Sequence, residues 1–121
     1  MIIRRFLFLS ILACLAFGCK SESNSTAPSV SFANLKAGDT VTNPFVVKFA
    51  VDGMTVAPAG AAKSDTAGHH HLIIDGKPIP YGQMVPMDEQ HLHFMKGETQ
   101  HTLDLKPGEH TLTLQFAGTD H

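Results

Sequence analysis

Beyond its first nineteen residues this chain of 121 has no arginine, no tryptophan and no cysteine, and Tyr81 is its single tyrosine. Each absence excludes something. The arginines, Arg4 and Arg5, are both at the amino end, and from Cys19 onward seven lysines face eleven acids, a net charge of about −4 with histidines neutral. No basic face remains for nucleic acid. The missing arginine and tryptophan count against a broad recognition surface, where both are favoured. The two cysteines, Cys14 and Cys19, leave no pair for a disulfide in the mature domain, no thiolate metal site and no cysteine nucleophile. There is no nucleophile with a base at recognisable spacing, no phosphate-binding glycine loop and no HExxH helix, so an enzyme is not expected. No segment carries a sustained helical period with caps.

The amino end reads as an export signal over residues 1–18. Arg4 and Arg5 form a positive start, and Phe6 to Phe17 form an apolar run shorter than the roughly 20 residues a spanning helix needs. The segment closes on Leu15-Ala16-Phe17-Gly18-Cys19, which resembles the box cut by bacterial lipoprotein signal peptidase, with Cys19 as the lipidated first residue. The competing reading is an ordinary cleaved signal ending near a cysteine. Residues 19–28, rich in Ser, Asn, Thr and Glu, make a flexible tether. The expected location is a bacterial membrane, lipid-anchored, facing the periplasm or the exterior.

Residues 29–121 are enough for one small domain. Their pattern is that of strands. Phe45 to Val51 is β-branched and aromatic, His91-Leu92-His93-Phe94 alternates, and His110 to Phe116 has the cleanest period of two. Lys36 to Asp39 and Lys106 to Glu109 are turn signals. The expected fold is all-β, a small immunoglobulin-like β-sandwich, with long loops over residues 53–68 and 76–90. A sandwich of this type closes with one more strand after Phe116, so the pattern predicts either a missing edge strand or a chain cut short.

All eight histidines fall between His69 and His121. Neutral imidazole is the commonest side-chain metal ligand. Parity along a strand puts His91 and His93 on the face opposite Leu92 and Phe94, and His69 and His71 opposite Leu72 and Ile74. Side chains at i and i+2 stand about 6–7 Å apart, a chelating distance if the two strands are neighbours. The candidate metal ligands are therefore His69, His71, His91 and His93, against the plainer reading of a solvated polar face. His70, His101 and His110 have the opposite parity and read as structural residues at strand ends, or as partners that orient a ligand ring. His70, Met95, His110 and His121 are possible accessory residues. Imidazole with thioether suits copper, and imidazole with carboxylate suits zinc. Met95, with Met54, Met84 and Met87 in the loops, favours copper over Asp75, Asp88 and Glu89 with zinc. No Asp-rich loop suits calcium.

From Val30 onward the chain resembles an uncharacterised family of exported bacterial domains, domain of unknown function 4399. The resemblance lies in Gly38 to Phe49 (GDTVTNPFVVKF), Gly53 to Gly60 (GMTVAPAG), Gly68 to Asp75 (GHHHLIID), His91 to Phe94 with Lys96-Gly97, Thr99, and Pro107 to Leu114 (PGEHTLTL). It implies that the recurrent histidines are His69, His70, His71, His91, His93 and His110, in a pattern similar to small periplasmic metal-binding sandwiches. The chain departs from it at Met95, where a glycine is usual, and members typically run on past the position of His121 with further histidines, prolines and a last strand. The leading expectation is a membrane-tethered lipoprotein whose histidines bind copper or zinc for metal handling. Its rival is a non-catalytic interaction or adhesion module with structural histidines.

Overall fold

In the computed structural model, residues 27–119 are described, and every regular element among them is a strand: β1 (Ser29–Phe32), β2 (Phe45–Asp52), β3 (Thr55–Val56), β4 (Ala67–Ile74), β5 (His91–His93), β6 (Gln100–Leu103) and β7 (Leu112–Gly118). The segment expected to be an export signal, Cys19, most of the expected tether and His121 lie outside the described residues.

Two sheets follow from the alternation. In the first, β2 pairs antiparallel with β1 (Phe32↔Phe49) and with β6 (Phe45↔Leu103). The second is built around β4. On one edge β4 pairs antiparallel with β7 from Gly68↔Gly118 to Ile74↔Leu112. Its other edge is shared by β3, parallel at Thr55↔Ala67, and by β5, antiparallel at His71↔His93 and Leu72↔Leu92.

Alternate residues of both sheets meet in one core. Val47, Phe49 and Leu103 come from the first sheet, and Leu72, Ile74 and Phe94 from the second or its immediate continuation. Phe32, Phe45, Leu92, Leu112 and Leu114 pack around them. The Phe49 ring lies 4.8 Å from that of Phe94 and 5.2 Å from that of His70. Burying each large side chain of this set contributes about 1.5–3 kcal/mol, which is what holds two short-stranded sheets together. The protein is thus an all-β sandwich, as the sequence pattern leads one to expect.

Two boundaries differ from that pattern. The stretch expected as one loop over residues 53–68 contains β3 and the start of β4, because Thr55 and Ala57 donate to the Thr66 and Gly68 carbonyls. β7 begins at Leu112 and not at His110, because His110 and Thr111 are bound to Asp75 instead of to a ladder. The face of β4 that points away from the core is also not solvated. His69, His71 and Ile73 on that face are fully buried, so β4 is covered on both sides. Residues 76–90 run back across the sheet from the end of β4 to the start of β5, and we refer to them as the strap.

Candidate metal centre

The strap is tied down by polar groups on the face it covers. The Gln115 amide, on β7, accepts from the Ile79 amide at 2.9 Å and donates to the Ile79 carbonyl at 2.8 Å. His93 Nε2, on β5, donates to the Pro86 carbonyl at 2.7 Å. At the return end Asp88 Oδ1 accepts from the amides of Gln90 and His91 and from His91 Nδ1, the last at 2.6 Å. The His91 proton donor is the first reason that the Asp88 carboxyl is held below its ordinary range, with the Gln90 amide adding to it. Of the strap residues only Val85 is fully buried, while Tyr81, Met84 and Met87 are exposed.

Beneath the strap the histidines fall into a row. His69 and His71 have ring centroids 4.8 Å apart, and His71 and His93 4.4 Å apart. Around one tetrahedral ion, with nitrogen at 2.0–2.1 Å from the metal, two imidazole centroids stand about 5 Å apart. Each of these two spacings suits a pair of rings sharing an ion. A carbonyl only accepts, so His93 Nε2 carries the proton, and in the neutral ring the lone pair sits on the buried Nδ1. This is how protein-bound metals commonly find their histidines, with the far nitrogen donating to a carbonyl or carboxylate. Among the described residues no three or more His, Cys, Asp or Glu side chains already converge as a finished ligand group. Closing three rings on one ion takes rotation about their softer side-chain torsions.

The four residues singled out by parity thus share a face, but not one environment. His71 adjoins both His69 and His93, whereas His91 lies across from Ile73 and bonds to Asp88 at the strap's return. His70 has the core parity and is fully buried between Phe49 and Phe116, at 5.2 and 5.1 Å. Both its ring nitrogens are buried with no hydrogen-bond partner among the described residues. Burial first, and the neighbouring His69 second, push its pKa below the ordinary imidazole value. His101 is exposed on β6, its ring 5.4 Å from that of Phe94. Met95 is exposed after β5, with its carbonyl accepting from Ala59.

His110 is at the opposite end of the sandwich, beside a cleft of about 850 Å³ where the turns of residues 35–43 and 105–111 meet. Its Nε2 donates to the Lys106 carbonyl at 2.7 Å and its Nδ1 to Asp75 Oδ2 at 2.8 Å. Both partners are acceptors, so the doubly protonated ring satisfies them best. The Lys106 carbonyl first, and the Asp75 carboxylate next, raise its pKa. Asp75 is held low in turn, chiefly by the Thr111 amide and then by His110.

Sequence reasoning missed Gln115, Pro86 and Ile79. Gln115 was detectable as the one amide on the non-core parity of β7. Nothing in the sequence distinguishes the carbonyls of Ile79 and Pro86 from those of other loop residues.

A family model described as Domain of unknown function (DUF4399) matches residues 47–121. The chain belongs to the DUF4399 family. No curated protein and no solved structure gives a significant match. The DUF4399 match begins within β2 and takes in β3 to β7, so it includes the strap and every histidine of the chain.

Proposed function

We propose that this protein binds one transition-metal ion through His69, His71 and His93, as a membrane-tethered, exported metal-handling domain rather than an enzyme. The observation that supports the reading is the placing of the His71 ring against those of both His69 and His93 on β4 and β5, with His93 Nε2 bound to the Pro86 carbonyl, which would leave Nδ1 as the ligand nitrogen. His91, its Nδ1 bound to Asp88, is the candidate for a fourth position. The ion would be copper or zinc, since imidazole serves both. The thioethers of Met84 and Met87, 82% and 77% exposed on the strap, stand outside the ligand set. Lipidation of Cys19 would supply the tether.

The test is calorimetric titration of the untagged protein with Cu(II) and with Zn(II), alongside His71→Ala and His93→Ala. One ion per chain should bind tightly, with affinity falling by at least 10–100-fold in each variant. Weak binding at several sites, indifferent to His71→Ala, would overturn the proposal.

A second reading, an interaction module whose histidines are structural, has one observation in its favour. The strap exposes Tyr81, Met84 and Met87 within seven residues of one another. A melting temperature unmoved by either ion or by chelator would favour it, because a ligand of the native state alone must raise apparent stability.

A further inference from the structure

The register of the second sheet puts Gln115, His71 and His93 in one line across β7, β4 and β5, with His71 in the middle. Both flanking members hold the strap, Gln115 at Ile79 and His93 at Pro86. The strap therefore passes over His71, which is fully buried although it points away from the core. Between the two anchors the strap has little else holding it. Pro78, Pro80 and Pro86 stiffen it, Gly82 takes a positive φ of 79° near its tip, and one turn bond joins Gln83 to Pro80. Of the residues between the anchors only Val85 is fully buried. Such a segment, with few buried contacts, opens at far lower cost than the strands beneath it.

From this we infer that the strap is a gate over the histidine row and that Gln115 is its latch. An ion, or any small reagent, reaches His71 only when the paired Gln115–Ile79 bonds release, so Gln115 sets the rate of exchange without contributing a ligand. The metal half of this inference rests on the ligand set proposed above. The gate itself does not.

Diethyl pyrocarbonate, which acylates accessible imidazoles, tests it on the full chain. The rate of modification at each histidine is read by peptide mass spectrometry in the wild type and in Gln115→Ala. Two neutral hydrogen bonds shift an opening equilibrium by about ten-fold or more, so His71 should react about ten-fold faster in the variant. His70 serves as the internal control. It is on the other face of the same strand, in the sandwich core, and is reached only by unfolding of the sheet. Its rate should not change. An unchanged rate at His71, or equal acceleration at His70 and His71, would overturn the gate. With Zn(II), loading and release to chelator should both quicken by the same factor in Gln115→Ala, leaving Kd within about two-fold. If the wild type takes up no ion, the ligand reading fails, and the acylation rates still decide the gate.

Discussion

At the scale of single residues, His110 and Asp75 show how two polar side chains fasten one end of the sandwich. Asp75 directly follows β4 with a φ of 54°, in the left-handed region that aspartate tolerates better than most residues. There its two oxygens take up the Thr111 amide and the His110 ring, tying the end of β4 to the turn before β7. The folded-state pKa of His110 is raised above its ordinary 6.5. Its stabilising contribution is then complete below about pH 6.5 and is lost as pH rises through the raised value. Asp75 works at the other limit, contributing above its ordinary value of 3.8 and losing that contribution as pH falls through its depressed one. The margin by which the wild type exceeds His110→Gln in urea midpoint should therefore shrink from pH 6 to pH 9, while His70, its pKa lowered by burial, shifts both proteins alike. An equal slope in both proteins would show that His110 does not carry the dependence. The sequence marks His110 as a strand-end residue, but its partner is 35 residues away, and no local pattern reports that distance.

Among the elements, β4 carries the most. It pairs with three other strands and is covered on both faces. Its covered outer face was legible in principle: Leu72-Ile73-Ile74 breaks the alternation, as strands buried on both sides do. The period of two correctly separates His70 from His69 and His71, because parity is a property of the backbone alone. What covers the second face was not legible, since the strap has no repeat of its own and is positioned by Gln115. The same device recurs elsewhere, with the Asn34 amide joining Val46 and Lys48 on β2, and Asn43 joining Leu105. At the two asparagines a carboxamide stands in for a peptide group just beyond the end of a ladder. Close approach matters as well. A Cβ on Gly68 would fall 2.0 Å from the Ala117 carbonyl oxygen and 2.7 Å from the Phe116 ring. Gly68→Ala should cost about 1–3 kcal/mol or more in urea unfolding by forcing β4 and β7 apart at the root of the histidine row. A variant as stable as the wild type would refute so tight a contact.

Considered whole, the molecule is a sandwich with a third, partial layer, and its proposed place is at a membrane. If Cys19 is the anchor, the wild type should take up radiolabelled palmitate in growing cells, and Cys19→Ala should take up none and keep its apolar 6–17 run uncleaved. Equal labelling of both proteins, or none of the wild type, would count against the lipid tether. The pairing of β4 with β7 has a further consequence, in the order of events. Gly68 and Gly118 are register partners although nearly half the chain separates them, and contacts so distant in sequence form late and slowly. The row of histidines is synthesised well before Gln115, yet its cover can be latched only when the last strand has arrived. A chain still being made or threaded through a pore presents these imidazoles open to its surroundings, and only the completed domain encloses them.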